Sequence, residues 1–264
     1  AFLIPWIPQF IYWKEVSGSI LYNSYSEVGS AFYFGNPHIM DLLFSYRKGW
    51  FVYTPLMLFA VIGFLSLFWQ RRGLFYGTVI YLAVMVYVFS SWWSWWTGGS
   101  FGIRSMVDLM PVMAIPLAAL LTALLKQKIE LRNGIAAILV FLMFLNVFQS
   151  WQYQHVLIHW VGMTKKSYWS IFLSSKDRYG YWQNLTEPDY ELARQGIYIY
   201  YPVIGKDEKL LEMDEEEGKE YVEYYLSWDR RLKKDIKRYA RRNETSVEET
   251  YDMVINRAYE RMTD

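Results

Sequence analysis

The chain has 264 residues, in which 27 Lys and Arg face 26 Asp and Glu, with no cysteine. That balance, and the lack of a basic patch interleaved with exposed aromatics, argues against a nucleic-acid partner. The absence of cysteine excludes disulfides, thiol catalysis and thiolate metal sites. The averages conceal a division: Leu, Ile, Val, Phe, Met, Trp and Tyr dominate up to Ser150, and Glu, Lys, Arg and Asp dominate from Lys206 onward. Lipid first and water second are implied as solvents. The expected fold is an all-α membrane protein, a bundle of about four or five transmembrane helices with a mainly helical, soluble C-terminal tail. Residues 1–150 form the bundle in this reading, 151–205 an aromatic-rich interfacial segment, and 206–264 a charged helical hairpin.

The opening stretch Ala1–Trp13 is apolar from its first residue. It lacks the basic start and small-residue cleavage site of a signal peptide. It reads as the end of a membrane helix, and the chain is expected to be the C-terminal part of a longer protein. The loop from Tyr22 to Gly49 follows, with Tyr25, Glu27, Tyr33, Asn36, His38 and Asp41, and then the basic pair Arg47 and Lys48. An ordinary loop with a basic interface anchor is one reading. In the other, Arg47 and Lys48 meet a phosphate while the aromatics line a pocket.

A bilayer core of ~30 Å needs ~20 apolar residues of helix. Trp50–Phe68, Leu74–Ser91 and Leu109–Leu125 are uncharged, and Ile135–Phe148 is extended by Trp151 and Tyr153. Lipid offers no hydrogen-bond partners, so runs this apolar are expected as helices rather than as the alternating strands of a barrel. Arg71 and Arg72 after the first span, and Lys126, Lys128 and Arg132 after the third, place those turns in the cytoplasm by the positive-inside rule. The loops Lys14–Gly49 and Trp92–Asp108 and the tail then lie outside.

Between the second and third spans stands Trp92-Trp93-Ser94-Trp95-Trp96, followed by Thr97-Gly98-Gly99-Ser100-Phe101-Gly102 and Arg104. An aromatic belt at headgroup level explains part of this. Trp95 and Trp96 also offer indole faces to a sugar, Gly98 and Gly99 let backbone N–H groups approach an anion, and Arg104 is placed to hold a lipid phosphate. His155 and His159 are one helical turn apart, but no third ligand accompanies them, and interfacial histidines are the favoured reading.

In the tail, Tyr221, Tyr224, Tyr225, Trp228, Leu232, Ile236 and Tyr239 recur at helical spacing as one apolar stripe. Asn243–Ser246 breaks the pattern, and Ser246 with Glu249 has the spacing of a capping box that starts a second helix. The acidic run Asp214–Glu217 reads as a solvated helix end, since adjacent carboxylates on a helix point apart.

The stretches Pro8–Lys14, Leu43–Leu56 and Trp95–Arg104, the last followed by a proline-bearing span, resemble the C-terminal half of bacterial polytopic glycosyltransferases of the GT-C type, the protein-mannosyltransferase and aminoarabinose-transferase group. The resemblance covers roughly the first 150 residues and leaves out the charged tail. It implies transfer of a sugar from a polyprenyl-phosphate donor to a lipid, glycan or protein acceptor, at the outer face of the bacterial inner membrane. The family's essential carboxylate lies in its first outer loop, so the catalytic base is expected upstream of residue 1. Arg47, Lys48 and Arg104 would hold the donor phosphate, the aromatics the sugar, and Glu27, His38 and Asp41 would contact the acceptor. No cofactor is demanded; a divalent metal ion is the one candidate, with no ligand set assigned to it. Two rivals are a non-enzymatic membrane subunit whose tail docks a partner, and a transporter of lipid-linked sugars. The transporter is disfavoured because no span carries a mid-membrane ionisable residue.

Overall fold

The computed structural model describes residues 4–22, 31–178, 180–203, 210 and 212–263, and the chain is mostly helical. Three helical stretches are long and apolar enough to cross a membrane: Arg72–Ser91, Arg104–Leu124 and Ile129–Gln154. In chain order the helices are α1 (Ile7–Ser17), α2 (Ile39–Phe44), α3 (Trp50–Tyr53), α4 (Leu56–Gln70), α5 (Arg72–Ser91), α6 (Met110–Leu124), which a 3₁₀ turn at Arg104–Leu109 precedes, α7 (Ile129–Gln154), α8 (Lys165–Ile171) and α9 (Tyr190–Arg194). The tail adds α10 (Glu215–Ser227), α11 (Arg230–Asn243) and α12 (Val247–Thr263).

The expected span Trp50–Phe68 is not one helix. It breaks at Thr54, whose φ of −136° and ψ of 63° leave the helical region. Pro55 is the cause, because a proline disfavours helical geometry in the residue before it. The break frees the carbonyl of Tyr53, and Asn146 of α7 donates to it at 2.7 Å. What remains, α4, has 15 residues and a length of ~22 Å, short of the bilayer core by itself.

Helices α4 and α6 form the closest crossing. Gly63 lies so near the backbone of Pro116 that a Cβ there would collide with its carbonyl, the small-residue contact by which membrane helices approach one another. Gln70 adds an interhelical hydrogen bond to the carbonyl of Ala119 at 2.9 Å. Helix α7 is nearly bare: only Leu145, Gln149 and Gln152 are buried on it. Gln149 donates to the Tyr168 hydroxyl at 2.8 Å, and Gln152 to the carbonyls of Ile171 and Ser174 at 2.7 and 2.8 Å. Its polar stripe thus seats α8, and its apolar residues point outward.

At one end of the bundle the connecting segments converge. Trp93 N–H donates to Ala31 O at 3.0 Å and His38 N–H to Ser90 O at 2.8 Å, tying the loop before α2 to the end of α5. To the mostly helical chain this region adds a two-stranded antiparallel ribbon, β1 (Thr186–Pro188) with β2 (Tyr200–Pro202), which the all-α reading did not foresee. Segment 151–203 links the cores. Val161, Ala193 and Tyr198 belong to the core of the bundle end, while Leu192, Ile197, Ile199 and Tyr201 belong to the core of the tail.

The tail has three helices where a hairpin was expected. The periodic run from Tyr221 to Tyr239 is interrupted at Asp229, whose carboxylate caps α11 by accepting from the N–H groups of Arg231 and Leu232 at 2.8 and 3.1 Å. The stripe is buried only in part: Leu232 and Ile236 enter the tail core and Tyr221 and Tyr239 pack against it, whereas Tyr224, Tyr225 and Trp228 are 63–72% exposed and Val222, outside the stripe, is the core residue of α10. Ser246 does start α12, accepting from Glu249 N–H at 2.9 Å.

Candidate functional site

The pair Arg47–Lys48 owes its position to a tight chain reversal. Helix α2 ends at Phe44, the hydroxyl of the next residue, Ser45, accepts from Arg47 N–H at 3.0 Å, and Gly49 N–H donates to Ser45 O at 2.6 Å. A Cβ on Gly49 would strike the Ser45 backbone, so glycine is required for a turn this close. Both cations turn inward as a result. Arg47 donates to the carbonyls of Val161 and Thr186 at 2.7 and 2.8 Å and to the Thr186 hydroxyl at 2.7 Å, and its guanidinium lies 4.2 Å from the centre of the Tyr200 ring. Burial pulls its proton affinity down and pushes the Tyr200 hydroxyl up, to about 12.

Lys48 is 1% exposed. Its ammonium donates to the Ser100 carbonyl and, at 3.1 Å, to the Ser100 hydroxyl. It thereby pins the glycine-rich turn, in which Thr97 and Gly98 take successive left-handed conformations at φ of 53° and 70°. The φ of Gly98 is what calls for glycine there; Gly99 sits against Trp160. Burial, and then the positive charges of Arg47 and Arg104, pull the Lys48 pKa down to about 7. Arg104 itself is exposed at the start of its 3₁₀ turn. Among the described residues no carboxylate lies within ion-pair distance of Arg47, Lys48 or Arg104.

A cleft of about 460 Å³ opens on the other side of Arg47, with Asp41, Tyr46, Trp95, Lys165, Tyr200 and Arg231 among its lining. Asp41 is the braced group within it. Arg231 of α11 reaches both its oxygens, at 2.9 and 2.8 Å, and His38 Nδ1 lies 3.0 Å from Oδ2. An ionised carboxylate only accepts, so that nitrogen carries the proton. Burial pushes the Asp41 carboxyl up, but the bonds from His38 and Arg231 outweigh it and hold it below the usual carboxylate range. His38 packs between Trp95, stacked at 5.9 Å, and the edge of Tyr198 at 4.2 Å.

The residues singled out in the sequence therefore divide into groups. Lys48, Gly98, Gly99 and Arg104 gather at the glycine turn, Asp41, Arg47 and Trp95 line the cleft, and His38 stands behind Asp41. Trp96 is fully buried in the core, out of reach of any ligand. Glu27 and Tyr25 lie outside the described residues. Helix α7 ends at Gln154, so His155 and His159 do not share a helix face. His159 folds back to accept from Val161 and Gly162 N–H at Nδ1, 3.2 and 2.7 Å, and burial with the charges of Arg47 and Lys48 pulls it down to about 4. Among the described residues no group of three His, Asp or Glu is arranged to hold a metal ion. Lys165, Tyr200 and Arg231 were not foreseen; they lie more than 100 residues beyond α2, and nothing local in the sequence marks them.

Comparison with protein-family models, with curated proteins and with solved structures finds no match to this chain. The resemblance to membrane glycosyltransferases rests on its short motifs alone.

Proposed function

We propose that this chain serves a membrane glycosyltransferase, moving a sugar from a polyprenyl-phosphate-linked donor to a lipid, glycan or protein acceptor at the outer face of a bacterial inner membrane. In this reading the end of the bundle that carries the glycine turn and the tail is periplasmic. The observation behind it is a set of cations with no carboxylate at ion-pair distance among the described residues. A buried ammonium with only neutral partners is costly to keep charged. Lys48 is such a group, with Arg104 exposed beside it and Arg47 behind. A donor phosphate at the turn supplies the missing negative charge, Arg104 takes it by paired N–H donors, and the N–H groups around Gly98 and Gly99 add to the hold. The same cations stabilise the phosphate as it departs from the sugar.

Two measurements test this. Arg104→Ala in the intact protein should lower transfer from a polyprenyl-phosphate sugar by about a hundredfold, the usual scale for losing one donor to a developing oxyanion, without changing the melting temperature. Unchanged transfer overturns the assignment. Binding of polyprenyl phosphate near pH 7.5 should also take up protons, because an anion beside Lys48 raises a pKa that now sits at about 7.

A second reading, a non-enzymatic subunit with a docking tail, draws on the exposed Tyr224, Tyr225 and Trp228 of α10. Against it, α11 is already engaged by its own chain, through Arg231 on Asp41 and Asp235 with Asn36.

A further inference from the structure

The cleft beside Arg47 is separate from the glycine turn, and the donor reading leaves it without a role. Its walls come from three parts of the chain: Asp41 and Tyr46 from α2 and the turn after it, Trp95 from the tryptophan cluster, and Tyr200 and Arg231 from the ribbon and the tail. At about 460 Å³ it falls within the ordinary range of small-ligand sites. Its charges do not balance. Arg47, Lys165 and Arg231 face one carboxylate, Asp41, which Arg231 and His38 already satisfy. Among the described residues the exposed Lys165 ammonium has no hydrogen bond or ion pair, and Arg47 has no carboxylate within ion-pair distance. An excess of positive charge therefore faces a cavity walled by aromatic rings.

We propose that this cleft is a binding site for an acidic sugar, one whose ring lies against Tyr46 and Tyr200 while its phosphate or carboxylate meets Lys165, with the buried Arg47 adding positive charge from behind. Asp41, held ionised and oriented from two sides, accepts from the ring hydroxyls. Rigid planar polar groups beside aromatic faces suit a ring that is apolar above and below and hydroxylated at its edge. The site exists only because the tail returns to the bundle, since Arg231 braces Asp41 from α11. As the place of an acceptor it rests on the transferase reading; as a binding site it does not.

The test is calorimetric titration of the protein in lipid nanodiscs with glucose 6-phosphate, glucuronate, glucose and inorganic phosphate, with no donor present. Saturable binding of either acidic sugar, with glucose and phosphate each at least about tenfold weaker, is the expected result, since a charge-assisted contact is worth that much. Which acidic sugar binds tells a phosphate from a carboxylate. Lys165→Ala, at an exposed position, should weaken binding about tenfold with the melting temperature unchanged. Arg231→Ala should weaken it further, by releasing Asp41. Equal binding of glucose overturns the anionic assignment, equal binding of phosphate alone overturns the sugar, and no binding, or binding indifferent to Lys165→Ala, overturns the site. Failure here leaves the Arg104 result untouched, and the reverse holds too.

Discussion

Helices α7 and α12 are built inside out with respect to one another. In α7 the buried positions include Gln149 and Gln152, while Val140, Phe141, Met143, Phe144 and Val147 are 48–69% exposed. In α12 the buried positions are Thr250, Val254, Ile255 and Ala258, and the charged side chains face out. The rule behind both is the same, that each face takes the residues its surroundings solvate. In water the apolar face must hide. In lipid, apolar surface costs nothing to expose, and association relies on close packing and hydrogen bonds between helices. The contrast teaches that burial marks largely polar contacts on α7 and apolar contacts on α12.

The contrast yields predictions of decreasing size. Gly63→Leu forces α4 from α6 and should cost about 3 kcal/mol or more, read as a fall in melting temperature in detergent. An unchanged melt would mean that the close crossing is not what holds the bundle. Lys48→Met comes next and is visible through pH. The folded protein holds this lysine at about 7 against an ordinary value of 10.5. Between those values the unfolded chain binds the extra proton, so stability rises with pH across that window, and the full cost of a buried charge is felt below it. The variant should be the more stable near neutrality, with the difference shrinking toward pH 10; parallel stability curves would refute the buried ammonium. Asn146→Leu makes the α7 face more apolar yet should destabilise by about 1.5 kcal/mol, because the carbonyl of Tyr53 loses its donor. A stabilised variant would break the inside-out rule. The smallest effect belongs to the tail: Ser246→Ala removes the cap of α12 and should cost about 1 kcal/mol, with transfer and bundle packing unchanged.

The sequence located the long apolar helices well, since their lengths and compositions answer directly to a lipid solvent. It misjudged the two places where one residue overrides a periodic pattern. Pro55 splits what composition reads as a single span, and Asp229 splits what spacing reads as a single tail helix. Both are local effects on backbone geometry that an apolar count does not register. At the candidate site, Arg47, Lys48 and Arg104 were visible as basic residues in an aromatic setting. Their division of labour was not. Arg47 spends its donors on the carbonyls of Val161 and Thr186, while Arg104 finds no partner among the described residues, and only long-range packing decides between such fates.

By itself, then, the sequence determined which stretches prefer lipid and which prefer water, because transfer free energy adds up residue by residue along the chain. It also determined the glycines and caps that end or turn particular elements. Only the tertiary structure decided which partner each polar group found. The return of α11 onto α2, the bracing of Asp41 by Arg231, and the burial of Lys48 against Ser100 join residues separated by 52 to 190 positions. A hydrogen bond depends on distance and direction in space, and neither is written in the spacing of residues along the chain.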